Sequence, residues 1–110
     1  MIDLVLHAIA EPRRREILGL IRDTERTSGE IAAHFEVTRQ AISQHLQVLS
    51  SAGLVTMRRQ GTQRLYRARP EGLTELRTFL DQFWQDHLQL LKQEAETEER
   101  RSQAGGSAGR

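Results

Sequence analysis

Two short amphipathic segments separated by a tight turn occupy residues 27–52, and they constrain the fold more than any other feature of the sequence. The apolar side chains of the first segment would share one small face: Ile31, Ala32 and Phe35. Those of the second segment recur at the spacing of a single helical stripe: Ile42, Leu46 and Leu49. Two short helices that bury so few apolar side chains against each other are typical of a helix-turn-helix unit.

The ends of both helices are marked by capping residues. Thr27 and Glu30 have the spacing of a capping box, in which each side chain accepts a hydrogen bond from a free backbone amide. Thr38 is the predicted N-cap of the second helix, and Gly53 is placed to end it in a left-handed conformation. Val37 is the predicted apolar plug of the turn.

The second helix presents an outward face that is rich in amides and hydroxyls. With the apolar stripe directed inward, the outward positions are Arg39, Gln40, Ser43, Gln44, Gln47 and Ser50. Such groups both donate and accept hydrogen bonds, which suits base edges in the major groove of DNA. The alternative is an ordinary solvated helix face that happens to contain several glutamines. In a helix-turn-helix context we favour a DNA-binding face that begins at Thr38.

Charge is strongly segregated along the chain, although the net charge is only +1. Residues 38–69 contain six arginines and no acidic residue, whereas residues 71–99 contain eight acidic and two basic residues. A basic stripe confined to one segment is the expected footprint of phosphate contact. The acidic segment is expected to face away from nucleic acid.

The first 22 residues predict two helices. Residues 1–10 are short and apolar, and such a helix is stable only when it packs against something else. Pro12 suits the first position of a helix over residues 12–22. The arginine triplet at 13–15 has two interpretations: phosphate contact, or a solvated face that interacts with Glu11 and Glu16. We favour the second slightly, because cations at a helix N-terminus oppose its dipole.

A β-hairpin is predicted directly after the second helix of the motif. Residues 54–59 and 64–68 alternate well enough to form two strands, and Gly61 lies in the turn between them. Two strands alone are marginal, so the hairpin should lie against the helices, with contributions from Leu54, Val55, Leu65 and Tyr66. Its polar end carries Arg58, Arg59, Gln63 and Arg64. A basic hairpin in this position is typical of the wing of a winged helix-turn-helix domain, which contacts the DNA backbone or a minor groove.

A long helix is predicted over residues 71–100, opened by Pro70. Its apolar residues recur at helical spacing: Leu73, Leu76, Leu80, Phe83, Trp84, His87, Leu88 and Leu91. This surface exceeds what a small core can cover, so together with the first helix it predicts a dimer interface. A symmetric dimer would match an inverted repeat in DNA. We expect residues 1–100 to form one DNA-binding and dimerisation domain and residues 101–110 to be a disordered tail.

Composition excludes several classes of protein. The chain has no cysteine, which rules out disulfides and thiolate metal sites within it. No apolar run or export leader is evident, so we expect a cytoplasmic protein without membrane association. An enzyme is not expected, because the chain has no cysteine nucleophile, no Gly-rich phosphate loop after a strand and no carboxylate pair in a likely pocket. Ser43 and His45 are two apart on a helix and cannot face each other as a catalytic pair, and no cofactor is expected. A module that binds another polypeptide remains the alternative, although the segregated arginines argue against it.

Three segments together resemble the ArsR-type winged-helix regulators: HAIAEPRRREIL, SGEIAAHFEVTRQAISQHLQVLSSAGLV and RRQGTQRLYRA. The resemblance covers about residues 2–90 and implies a mainly α-helical homodimer built through its first and last helices. It also implies that the protein binds operator DNA, usually as a repressor, and we expect its own promoter to be one target. The family's recognition surface matches these positions: Arg39, Gln40, Ser43, Gln44 and His45. By its spacing His45 lies at the edge of the apolar stripe, where it would pack or touch a phosphate rather than read a base.

The sequence departs from the metal-sensing members of that family. Where their helix-turn-helix site has cysteines, this chain has Ser28, Gly29, Glu30 and Ile31. A site on the last helix that uses Asp81, Asp86 and His87 from both subunits is a weaker possibility, since carboxylate and imidazole are reasonable zinc ligands. His87 lies on the apolar stripe, where a packed histidine is the commoner explanation. The resemblance is therefore closer to the metal-independent members, controlled by an organic effector, a partner or protein level.

Overall fold

The computed structural model describes residues 2–108 of the chain. Its helices are α1 (Ile2–Ala10), α2 (Pro12–Leu20), α3 (Ser28–Phe35), α4 (Arg39–Ser51) and α5 (Thr74–Ala108), with a 3₁₀ turn at Pro70–Leu73 before α5. Strands β1 (Val55–Gln60) and β2 (Gln63–Ala68) form one antiparallel hairpin. The chain divides into two compact units, the first ending at Leu76 and the second beginning at Arg77. This is a mainly α-helical fold with a small β-hairpin, as predicted.

The core of the first unit is built from one or a few apolar residues of each element. Fully buried side chains come from α2 through the start of the hairpin: Ile17, Ile21, Ile31, Ile42, Leu46, Leu49 and Leu54. Val5 and Ala8 of α1 join this cluster. Truncating a buried Leu or Ile of this kind to Ala costs about 2–5 kcal/mol of folding free energy. Because very few side chains fix α3 to α4, each of them matters to the stability of the pair.

The corner between α1 and α2 is closed by side chains of the arginine triplet. Arg14 Nε donates to Ala8 O at 2.6 Å and Nη2 donates to His7 O at 3.0 Å, while Arg15 Nη1 donates to Ile9 O at 2.7 Å. These carbonyls end α1 and have no partner within the helix, so the guanidinium groups cap it. Arg13 Nη1 lies 3.6 Å from Glu16 Oε2, the ion pair that the favoured interpretation expected, whereas neither interpretation contained the caps formed by Arg14 and Arg15.

The predicted caps of the helix-turn-helix are confirmed. Thr27 N donates to Glu30 Oε1 at 2.9 Å, and Glu30 N donates to Thr27 Oγ1 at 3.1 Å. Thr38 Oγ1 accepts from Ala41 N at 3.1 Å at the start of α4, and Gly53 follows α4 with φ 75°. The sequence did not reveal that Glu36 ends α3 in the left-handed region, with φ 56°. A non-glycine residue in that region costs roughly 1–2 kcal/mol, which the packed turn must offset.

The hairpin closes through a two-residue turn in which Gly61 has φ 62°. Leu54 and Val55 are buried in the core and Tyr66 packs against it, as predicted, whereas Leu65 is half-buried without packing against the core. A further bridge pairs Tyr66 with Arg26, through hydrogen bonds of 2.9 and 3.1 Å between their backbones. This bridge fixes the hairpin to the segment that precedes α3.

The last helix differs from its predicted bounds at both ends. Residues 70–73 form a 3₁₀ turn, in which Gly72 approaches Gly53 O so closely that a Cβ at position 72 would lie 2.1 Å from that oxygen. The helix then continues through Ala108, beyond its predicted end at residue 100. The disordered tail expected from residue 101 stays a prediction. Extending an existing helix needs no new nucleus, which is the costly step. Residues 109 and 110 of the predicted tail lie outside the described residues.

The second unit is the long helix from Arg77 onward. It exposes a broad apolar surface, with relative exposures of 46–66%: Phe79, Leu80, Phe83, Trp84, Leu88, Leu90 and Leu91. Phe79 and Phe83 stack with their ring centres 6.5 Å apart. Among the described residues, no helix is long and apolar enough to cross a membrane.

Candidate nucleic-acid interface

Ten of the eleven residues predicted to contact DNA are exposed in the structure: Thr38, Arg39, Gln40, Ser43, Gln44, Gln47, Arg58, Arg59, Gln63 and Arg64. His45 is half-buried. The exposed residues of α4 follow from its geometry, because burial of Ile42, Leu46 and Leu49 turns the opposite face of the helix to solvent.

A polar cleft of about 620 Å³ lies between the start of α4 and the hairpin. It brings together four of the predicted residues, from two separate elements: Arg39, Ser43, Gln63 and Arg64. It also contains hydroxyl groups that sequence analysis did not assign to a site: Thr27, Ser28, Thr62 and Tyr66. Tyr66 could have been found from strand alternation, because residues two apart in a strand point to the same face.

Arg39 lies across the start of α3. A Cβ built on Gly29 would lie 3.4 Å from Arg39 Nε and 3.5 Å from Arg39 Cζ, so the missing side chain leaves room for the guanidinium group. The cleft therefore has arginine on both sides, Arg39 from the helix and Arg64 from the hairpin.

A second groove of about 440 Å³ continues the same surface along α4. Ser43, Gln47 and Ser50 line it from the helix, and Met57, Arg64 and Tyr66 line it from the hairpin. Ser43, Arg64 and Tyr66 belong to both grooves. The outward face of α4 and one face of the hairpin thus form a continuous surface.

The strand register places the wing arginines on different faces. Arg59 is paired directly with Arg64, and Met57 with Tyr66, so these four side chains share the face that carries the groove residues. Arg58 is paired with Leu65 and belongs to the opposite face.

Arg58 is held by an acidic residue from outside the hairpin. Its Nε donates to Glu25 Oε2 at 2.6 Å, and its Nη2 donates to Gln60 Oε1 at 3.2 Å. The hydrogen bond from Arg58 lowers the pKa of the Glu25 carboxyl. One N–H donor of Arg58 is therefore engaged by Glu25, whereas Arg59 and Arg64 face each other at the exposed end of the hairpin.

His45 is directed toward the α1–α2 corner. Its Nδ1 lies 3.5 Å from Arg14 Nη1. Burial, and then the charge of Arg14, lower the pKa of His45. Both effects favour the neutral imidazole. Whether His45 packs or touches a phosphate, the two roles expected from its spacing, stays a prediction.

Two of the three candidate zinc ligands on α5, Asp81 and His87, lie near other side chains. Asp81 Oδ2 lies 3.6 Å from Arg77 Nε, and the His87 ring lies 5.6 Å from the Trp84 ring. Among the described residues, no group of three or more His, Cys, Asp or Glu side chains has the arrangement of a metal site.

Comparisons with known proteins agree with this geometry. A family model described as a helix-turn-helix domain matches residues 9–58. The HTH-type transcriptional regulator Rv2034 of Mycobacterium tuberculosis is 44% identical over 82 residues, covering 74% of this chain and 77% of that protein.

Solved structures show the same fold. A possible transcriptional regulator for arsenical resistance is 51% identical, with a TM-score of 0.64 over 72% of this chain and 82% of the other. The homodimeric winged helix-turn-helix domain Mb0332 of Mycobacterium bovis, a possible ArsR-family regulator, is 34% identical, with a TM-score of 0.62 over 79% of this chain and 81% of that one. Helix-turn-helix, wing and sequence similarity together show that this chain is a DNA-binding transcriptional regulator and belongs to the ArsR family.

Proposed function

We propose that this protein acts as a homodimeric repressor that binds an inverted repeat, including one in its own promoter, with α4 in the major groove and the hairpin on the flanking backbone. The observation that supports it most is the cleft that joins Arg39, Ser43 and Arg64 on one surface. A dimer seated on promoter DNA represses by excluding the transcription machinery.

The roles within the interface follow from chemistry and position. Gln40, Ser43, Gln44 and Gln47 are exposed along one helix and carry groups that hydrogen-bond base edges. Thr38 caps α4, because its Oγ1 accepts from Ala41 N, while its hydroxyl proton stays free to donate. We assign Thr38 the positioning of the helix start.

Phosphate contact is assigned to the arginines that face the groove. Arg39 and Arg64 line the polar cleft together with hydroxyl groups, a combination that suits a backbone phosphate. Arg59 and Arg64 are directly opposite each other in the hairpin, and like charges in that position repel. A phosphate between them would relieve this repulsion. Arg58, paired with Glu25, positions the hairpin.

The dimer is assigned to the apolar surfaces of α1 and α5. Leu4 and Leu6 are 47% and 44% exposed on α1, and Phe83 and Trp84 are 66% and 59% exposed on α5. Exposed apolar surface of this extent marks an interaction site, and Mb0332 forms a homodimer.

Control by a metal ion is the alternative to this function. We propose instead that the regulator is metal-independent, because the chain has no cysteine and Asp81 is paired with Arg77. A zinc site built from Asp81, Asp86 and His87 of two subunits would contradict this assignment.

The test is binding to the DNA upstream of the protein's own gene and to a randomised duplex library, with added zinc or with a chelator. We expect selection of an inverted repeat, at an affinity that neither addition changes. Arg39→Ala should weaken binding to all sequences, whereas Gln44→Ala should relax sequence preference. Zinc-dependent binding would restore the metal site, and unchanged affinity in both variants would refute the assigned face.

A further inference from the structure

A small apolar cavity lies on the side of α2, away from the recognition surface. Leu18 and Gly19 of α2, Leu54, and Leu73 of the 3₁₀ turn line it, with a volume of about 210 Å³. Leu54 is the last residue before β1, and the end of β2 also lines the cavity. Three segments of the first unit line this cavity, which is open to solvent on one side.

Two arginines stand at the edge of this apolar cavity. Arg69 Nη1 donates to Gly53 O at 3.2 Å, which uses one of the five N–H donors of the guanidinium group. Arg22 is 73% exposed and lies 3.3 Å from Asp23, which neutralises part of its charge. Arg69 is therefore the main partner that the edge offers to an anion.

We propose that this cavity binds a small organic carboxylate with an apolar body about the size of one aromatic ring. An apolar cavity of about 150 Å³ is enough to hold benzene, so 210 Å³ accommodates a ring with a short arm. The apolar walls select the body, and Arg69 pairs with the carboxylate. The site is separate from the proposed DNA face, and its test requires no DNA.

The binding experiment uses the full chain and a size series: butanoate, hexanoate and 3-phenylpropanoate. Isothermal titration gives the affinity, and backbone amide shifts in NMR locate the ligand. We expect saturable binding, tightest for 3-phenylpropanoate, with shifts at Gly19, Leu54 and Leu73. The neutral amide of the same acid should bind about fivefold more weakly, the upper range for an exposed ion pair.

Two matched pairs of variants locate the site. Gly19 lines the cavity and a Cβ at this position would meet nothing within 4 Å, so Gly19→Leu adds bulk beside the cavity, and Gly19→Ala is its control. Gly19→Leu should weaken binding at least tenfold, and Gly19→Ala by much less. Arg69→Gln should remove the preference for carboxylate over amide. Arg77→Gln, which removes an exposed arginine outside the cavity, should not.

Any of three outcomes would overturn the proposal. The first is that no member of the series binds saturably up to 10 mM. The others are equal affinity for the acid and its amide, and unchanged ligand affinity in Gly19→Leu. If Gly19→Leu instead weakened self-association while no acid bound, the cavity would be part of a contact with a second copy. DNA binding unaffected by any of these variants would leave the proposed function intact.

Discussion

The two wing arginines that lie on opposite faces of the hairpin give a direct test of the DNA-binding surface. Arg64 lines the polar cleft, whereas Arg58 is held by Glu25 at 2.6 Å. We predict that Arg64→Ala lowers the salt dependence of DNA affinity and that Arg58→Ala leaves it nearly unchanged. The pair is matched, because both changes remove one arginine from the same hairpin.

The magnitude follows from counterion release. Each phosphate contact with B-DNA contributes about 0.9 to the slope of log affinity against log salt concentration. A dimer that loses Arg64 loses two contacts, so its slope should fall by about 1.8. Between about 50 and 200 mM salt, the ratio of wild-type affinity to Arg64→Ala affinity should therefore fall roughly twelvefold. If the protein bound DNA as a monomer, the same ratio would fall by a factor of about 3.5.

The assay is fluorescence anisotropy with the selected operator at five salt concentrations. Circular dichroism of each variant confirms that the hairpin remains folded. Equal slope changes for Arg58→Ala and Arg64→Ala would refute the division of the wing into two faces. A larger change for Arg58→Ala would reverse the assignment.

Three further predictions concern stability and assembly. Gly72→Ala should destabilise the protein by at least about 1–3 kcal/mol, because its Cβ would lie 2.1 Å from Gly53 O. Gly19→Ala should instead stabilise the protein by roughly 0.5–1 kcal/mol, since a Cβ there meets nothing within 4 Å. Urea unfolding at one protein concentration measures both changes. The pKa of His45 is lowered from its ordinary value of 6.5, so the unfolded chain binds the proton first, and stability should fall as pH decreases below 6.5. His45→Gln should weaken that decline in thermal unfolding scans between pH 7.5 and 5.5. Trp84→Glu should shift the protein toward monomer in analytical ultracentrifugation, unlike the control Gln85→Glu, and an unshifted Trp84→Glu would contradict the assigned dimer surface.

Local chemistry made much of this fold predictable from the sequence. The capping box at Thr27 and the cap at Thr38 depend on residues three positions apart, and Gly61 meets a requirement of the turn itself. The apolar stripe of α4 also determines which of its side chains face solvent. These features depend on neighbours in the chain, so the sequence contains the whole signal.

Contacts between distant segments were not predictable in the same way. Arg58 and Glu25 are 33 positions apart, and nothing in either segment indicates that they pair. The backbone bridge between Arg26 and Tyr66 likewise requires knowledge of where the hairpin docks. The charge pattern of the sequence marks the basic segment, but it gives no reason to treat Arg58 differently from Arg64. Only the strand register and the ion pair separate them.

The arginine caps at the end of α1 affect the energetics of assembly. A nine-residue helix would fray in isolation, and ordering it upon association would cost about 1–2 kcal/mol per residue in backbone entropy. Because Arg14 and Arg15 hold its last carbonyls, α1 presents Leu4 and Leu6 already in place. Preorganisation of this kind lowers the entropic cost of binding. In a dimer formed through α1, these two arginines would lower the dissociation constant without contacting the other subunit.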